Sequence, residues 1–169
     1  EILRGYHELI NDREMEEKHS LKQGINFSTQ ILNGIGAAYL YNLDQEGLKQ
    51  SLRPFMNYEQ IVAIQALDER GKPFAAAWRN PGVEIGNALP EDLDLNKNLS
   101  SQVECLREQK KIGVFQIFYS DTVLKQKIQA LKEEASQDAD KFEATTRSQL
   151  EGAIVSQSIG VFLILFVLV

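Results

Sequence analysis

The stretch Tyr39-Leu-Tyr-Asn-Leu-Asp-Gln-Glu-Gly-Leu-Lys-Gln-Ser-Leu52 divides the chain into two kinds of sequence. Before it the residues are polar and helix-prone. After it, Ile61 to Trp78 reads as a β-hairpin. Asp44 is a good helix N-cap, because its carboxylate accepts from the free amides of a following first turn. Leu48, Leu52 and Phe55 then form one apolar stripe on a short helix, and Pro54 limits its continuation. The stretch is therefore a corner that ends one helix and starts another. Leu43 is expected in the core and Asp44 as the cap.

Working back from the corner, residues 1 to about 32 read as one long helix. Ile2, Tyr6, Leu9, Ile10, Leu21, Ile25 and Leu32 give helical spacing. Its middle, Asn11 to Ser20, is polar almost all round and needs solvent or a partner on most faces. His7 and His19 read as surface residues. Gly34 and Gly36 are expected to loosen the helix or to admit a close backbone approach.

Working forward, Ile61–Leu67 and Lys72–Arg79 are expected strands, with Asp68–Gly71 as their turn. Phe74, Ala76 and Trp78 should share one face, and Ala75, Ala77 and Arg79 the other. The alanines predict close packing. Asn80–Ser100 reads as a long connection with a short helix near Pro90–Leu93. Gln102–Leu106 and Lys111–Tyr119 are two further strands around a turn at Arg107–Lys111. The last strand alternates Val114, Gln116 and Phe118 against Phe115, Ile117 and Tyr119.

From Asp121 onward the sequence is helical. Its apolar positions repeat every eleven residues: Leu124, Ala135 and Thr146; Ile128, Ala139 and Leu150; Leu131, Phe142 and Ala153. Such a repeat demands little supercoil. A helix from Asp121 to Val169 would be roughly 70 Å long at about 1.5 Å per residue. Its long stripe calls for the N-terminal helix, a second copy, or both. Ser158–Val169 carries no charge, and the last charged residue is Glu151. A full span needs about 20 apolar residues. The run is expected to begin a transmembrane helix that continues past Val169, with an earlier span upstream of Glu1.

The chain has 169 residues, 43% of them hydrophobic and 25% charged, with a net charge of −6. That is a folded composition. The acidic balance argues against a general nucleic-acid binder. Cys105 is the one cysteine, so an internal disulfide, a haem-attachment motif and a cysteine zinc site are not expected. It reads as a half-buried strand residue.

No Ser-His-Asp order, nucleophile elbow, phosphate loop or zinc helix motif occurs. These residues are therefore not expected to form an enzyme, and no cofactor is expected. A pocket would lie between one sheet face and the long loop. There Trp78, Arg79, Tyr58, Tyr119 and Gln116 are the candidate ligand-binding residues. Arg79 could hold a carboxylate through two hydrogen bonds, or be a surface charge with Trp78 and Tyr119 in the core. The acids Glu84, Glu91, Asp92 and Asp94 match no calcium-loop spacing, and no metal site is expected.

Tyr39–Ala76, with its Leu-Asp corner, its Leu-rich short helix and its Ile-x-x-Ile-x-x-x-Asp-x-x-Gly strand and turn, resembles extracytoplasmic sensor domains of bacterial transmembrane receptors. Lys111–Ile128 is similar to their closing strand and the membrane-proximal helix after it. The resemblance covers about Gly36–Leu131, with Tyr41 where Trp is common. It implies an α+β fold of the PAS-like or Cache-like type, an antiparallel sheet between a long N-terminal helix and a C-terminal helix running into the membrane. The expected parts are an N-terminal helix (1–33), a sensor domain (34–120), a signalling helix (121–152) and the start of a membrane span (153–169). It further implies a homodimer in the bacterial inner membrane, the domain in the periplasm or outside the cell, a possible small-molecule ligand and no nucleic acid. The implied whole is a two-component sensor histidine kinase. A diguanylate cyclase, a chemoreceptor, and a membrane-tethered structural or interaction protein are the alternatives.

Overall fold

The computed structural model describes the backbone of residues 2–167 and the side chains of residues 8–149. The element order is α1 (Ile2–Tyr41), α2 (Gln45–Leu52), a 3-10 turn (Arg53–Asn57), β1 (Ile61–Asp68), β2 (Pro73–Arg79), β3 (Val83–Gly86), β4 (Ser100–Arg107), β5 (Lys110–Tyr119) and α3 (Thr122–Val167). The fold is α+β, with one antiparallel sheet in the order β3-β2-β1-β5-β4. The chain divides into two compact units, residues 14–126 and residues 1–13 with 127–169.

In the sheet unit, α1 is continuous to Tyr41, well past Leu32. Neither Gly34 nor Gly36 breaks it. Gly36 instead lets the helix approach the sheet: a Cβ there would lie 2.3 Å from Cζ of Phe115. Ile25, Leu32 and Leu40 of α1 join Leu48 and Leu52 of α2, Phe55, Met56, Ile64, Ala66, Ala75, Ala77, Phe115 and Ile117 in one buried cluster. Thr29, also buried on α1, donates its hydroxyl to the Ile25 carbonyl at 2.8 Å, so its polar atom is satisfied within the helix.

The corner is a Schellman cap. The Asp44 amide donates to the Tyr39 carbonyl at 2.9 Å and the Leu43 amide to the Leu40 carbonyl at 3.2 Å. Leu43 takes the left-handed position, φ +56°, where glycine is usual. Its side chain is 77% exposed, which corrects the expected core placement. The left-handed turn carries it off the buried face of α1. Asp44 does cap α2, accepting from the Gly47 amide at 2.9 Å.

The β1–β2 hairpin turns through Gly71 at φ +76°, with Asp68 accepting from the Arg70 and Lys72 amides. Ala66 pairs with Ala75 but Leu67 pairs with Pro73, which leaves Phe74 as the extra residue of a bulge. Phe74 therefore packs against the helix-side cluster rather than beside Trp78. Gln45 of α2 secures the bulge by donating to the Phe74 carbonyl at 2.6 Å.

The opposite sheet face carries a smaller cluster. Ala63, Ala76, Trp78 and Phe118 pack there against Leu89, Leu93 and Leu95 of the long connection. That connection contains β3, a short edge strand the sequence pattern did not reveal. Pro90–Leu93 is a turn rather than a helix, closed by the Leu93 amide to the Pro90 carbonyl at 3.3 Å.

In the sheet unit Leu124 of α3 is buried. In the other unit Leu131, Ala135 and Ala139 continue the α3 stripe as half-buried residues, while Phe142 is 58% exposed. A small cleft of about 170 Å³ runs between Leu9, Ile10 and Arg13 of α1 and Leu131, Glu134, Ala135 and Asp138 of α3. Ser158–Val169, the expected start of a membrane span, lies outside the residues whose side chains are described, as does His7. Among the described residues no helix is long and apolar enough to cross a membrane.

Candidate functional site

The five residues singled out for ligand binding fall on both faces of the sheet. Trp78 and Gln116 lie on the loop-covered face. Trp78 is 8% exposed in the small cluster, and its indole N–H has no hydrogen-bond partner. Gln116 accepts from Gln65 Nε2 at 2.9 Å across the β1–β5 pair. Tyr119 packs with the helix-side cluster. Arg79 donates through Nε to the Ile61 carbonyl at 3.0 Å and through one terminal nitrogen to the carbonyls of Met56 and Tyr58. It thus fastens the 3-10 turn to the start of β1. The Tyr58 side chain is exposed. Trp78 and Gln116 therefore share a face, while Arg79, Tyr58 and Tyr119 lie elsewhere.

Glu84, Glu91, Asp92 and Asp94 are exposed along the β3 region and the connection. Among the described residues no three His, Cys, Asp or Glu gather as a metal-binding group. His19 sits on the exposed side of α1 with its Nε2 2.9 Å from Gln23 Nε2.

A groove forms instead where three turns meet at one end of the sheet. It encloses about 520 Å³ and is lined by Leu40, Tyr41, Leu43, Asp68, Glu69, Arg70, Phe74, Arg107, Glu108, Lys110 and Ile112. This volume suits a small molecule. Leu40, Phe74 and Ile112 provide apolar walls. The Asp68 carboxylate is held by its own turn amides, and Glu69 lies 4.0 Å from Arg70. Arg107 lies flat on Tyr41, its guanidinium 3.4 Å from the ring centroid, a cation–π contact that orients the cation at the groove mouth. Lys110 adds a second cation from the other side of the hairpin.

Two of the lining residues have unusual backbones. Leu43 is left-handed at the Schellman cap. Glu108 and its neighbour Gln109 have φ of +50° and +65° in the two-residue β4–β5 turn, a geometry that favours Asn-Gly. Strain of this sort persists only where surrounding structure holds it, and it gathers at binding and switch sites. No sequence signal located this groove, because its walls come from segments far apart in the chain.

The groove touches two through-going elements. Leu40 and Tyr41 are the last turn of α1. Lys110 and Ile112 begin β5, whose other end leads within a few residues into α3. That exit is fixed. The Tyr119 amide donates to Leu99 and the Ser120 amide to Gln60, at 2.9 and 2.8 Å. The Ser120 hydroxyl accepts from the Thr122 amide at 3.1 Å.

No family model matches the chain, and no curated protein matches it significantly.

Proposed function

We propose that this chain is the extracytoplasmic sensor domain of a bacterial transmembrane receptor of the PAS-like or Cache-like type, with a sensor histidine kinase as the whole protein. The observation that carries this reading is the groove between the end of α1 and the start of β5. An occupant there would touch the last turn of a 40-residue helix. It would also touch β5, the interior strand that feeds the second long helix. Displacement of either wall acts on a rod rather than on a loop, which suits signal transmission through helices. The receptor would sit in the inner membrane, with this domain outside the cytoplasm.

The stimulus would be a small organic acid with an apolar body. Leu40, Phe74 and Ile112 would hold the body, and Arg107 and Lys110 the carboxylate. A panel of short mono- and dicarboxylates, scanned by thermal shift and by ligand-detected NMR, tests this. At least one should raise Tm by a few degrees in the natural chain and fail to do so in Arg107→Glu. If every member leaves both proteins unchanged, or binds both equally, the groove is not a carboxylate sensor. A membrane-tethered structural protein is the second reading, favoured by the exposed apolar residues on α1.

A further inference from the structure

The two edges of the sheet are finished differently. β3 is four residues long and follows Pro81 and Gly82. β4 is eight residues long and holds neither proline nor glycine. Short strands and proline blunt an edge against pairing with another chain, and β4 has neither device. The Tyr119 amide donates to the Leu99 carbonyl, and the β4–β5 register is unbroken from Ser100 opposite Phe118 to Cys105 opposite Gly113. Ladder hydrogen bonds alternate along an antiparallel strand. Ser101, Val103 and Cys105 therefore bond to β5, while the amides and carbonyls of Ser100, Gln102 and Glu104 point away from the sheet. Among the described residues no strand lies on that side of β4.

One side of α1 runs along this edge. At one end Asn26 accepts from the Ser101 hydroxyl at 2.8 Å. At the other the Tyr41 ring carries Arg107. Asn26 to Tyr41 is about 22 Å of helix at about 1.5 Å per residue, and Ser101 to Arg107 is about 20 Å of strand at about 3.3 Å per residue, so the two lie side by side. Gln30, Asn33 and Ala37 fall between, on the same side of the helix. Asn26, Gln30 and Asn33 make this wall a row of carboxamides, and no Asp, Glu, Lys or Arg occurs from Gln23 to Leu43. The Asn33 Oδ1 is buried with no hydrogen-bond partner. An acceptor left in that state is costly.

We infer that the β4 edge takes up an extended segment of a different protein as an added strand. The side of that segment toward α1 carries Ser, Thr or Asn, which donate to Asn33 and pair with the carboxamides of Asn26 and Gln30. Its other side lies beside Gln102 and Glu104, both exposed, and carries Lys or Arg. The Glu104 carboxylate meets Lys111 at 2.8 Å and can take a second cation, and the net charge of −6 favours a basic segment. Main-chain bonds supply the affinity of such a strand, and alternate side chains its selectivity. A second copy of β4 fits this place badly. It would present to the carboxamide row Val103, which has no donor, and Cys105, whose thiol is a weak one. The inference rests neither on the sensing reading nor on an occupant of the groove.

A capped peptide of seven alternating Thr and Lys residues tests it. The peptide is titrated into the full chain of residues 1–169 in neutral detergent micelles, and binding is read by fluorescence anisotropy and by amide hydrogen exchange. We expect saturable binding, with exchange at the Gln102 and Glu104 amides slowed roughly tenfold and exchange at Ser101 and Val103, already in the ladder, changed far less. Gln102→Pro removes one outward amide and spares the β5 ladder. It should weaken binding roughly tenfold, whereas Gln102→Thr should bind as the natural chain does. Circular dichroism checks that both are folded. Peptides N-methylated at alternate amides repeat the test on the natural chain: methylation of the amides that face β4 abolishes binding, and methylation of the others leaves it intact. No saturable binding, or binding indifferent to Gln102→Pro and to both methylation patterns, overturns the inference. Protection of Gln102 and Glu104 that rises with protein concentration alone also overturns it, and gives the edge to a second copy. A peptide of alternating Thr and Glu that binds equally well overturns the basic partner.

Discussion

The ring of Phe115 on β5 fills the space a side chain would need at Gly36 on α1, with 2.3 Å between its Cζ and the place of a Cβ. The contact seats the long helix on an interior strand of the sheet, because β5 lies between β1 and β4. Gly36→Ala gains about 1 kcal/mol of helix propensity. It must also push a fully buried ring, which costs about 1–3 kcal/mol. The net result is a loss of stability in urea unfolding. Gly34→Ala meets no such obstacle and should match or exceed the natural stability. If both substitutions behave alike, α1 does not sit on the sheet through Gly36.

The cap at Leu43 gives a prediction of opposite sign. A non-glycine residue in the left-handed region costs roughly 1–2 kcal/mol. Leu43→Gly relieves that cost and should raise stability by about 1 kcal/mol. It also deletes an apolar wall of the groove, so any groove ligand should bind more weakly. A variant that is less stable than the natural chain would contradict the cap geometry.

Arg79 predicts a structural rather than a binding phenotype. Its donors serve the carbonyls of Met56, Tyr58 and Ile61. Arg79→Met keeps most of the stem and removes those donors from the partly buried carbonyls of Met56 and Ile61, while the Tyr58 carbonyl keeps the Ile61 amide. The expected loss is on the order of 2–3 kcal/mol in chemical denaturation. A change below about 0.5 kcal/mol would mean the clamp is not formed in solution.

Cys105 sets a pH dependence. Burial raises its thiol pKa. The unfolded chain loses this proton first as pH rises, so the folded chain then holds more protons and stability falls with pH. The contribution is whole below the ordinary thiol pKa of about 8.5. It is lost as pH climbs from there toward the raised folded value. Urea midpoints of the natural chain should drop more steeply between about pH 8 and 10 than those of Cys105→Ala. Parallel slopes would place Cys105 in contact with solvent.

Local chemistry was legible in the sequence where it is self-contained. Asp44 caps α2, and Leu48, Leu52 and Phe55 are buried as their spacing required. The four longer strands stand close to their expected limits, and the β5 alternation sends Phe115 and Ile117 to one face and Phe118 to the other. What the pattern missed depends on distant partners. Gly36 was expected to loosen the helix or to admit a close approach, and the choice between the two is made by Phe115, which lies far along the chain. Phe74 was assigned by strict alternation, which a bulge defeats. Leu43 is apolar, but the cap it occupies carries it outward. Val83–Gly86 is too short for a period to register. The groove is assembled from three turns and has no linear signature at all. Arg79 and Trp78 drew notice as polar and aromatic residues, yet their neighbours are backbone carbonyls in one case and apolar loop residues in the other.

The central claim is that this sheet unit reports to a membrane receptor, and the reading frame on both sides of these residues tests it most directly. The account predicts an apolar span upstream of Glu1. After the apolar run at Val169 it predicts a phosphoacceptor-histidine helix and an ATP-binding domain. A diguanylate cyclase domain or a chemoreceptor hairpin in that place would keep sensing and replace the kinase. A frame that closes shortly after Val169, with no output domain, would contradict the account and leave a tail-anchored structural protein in its place.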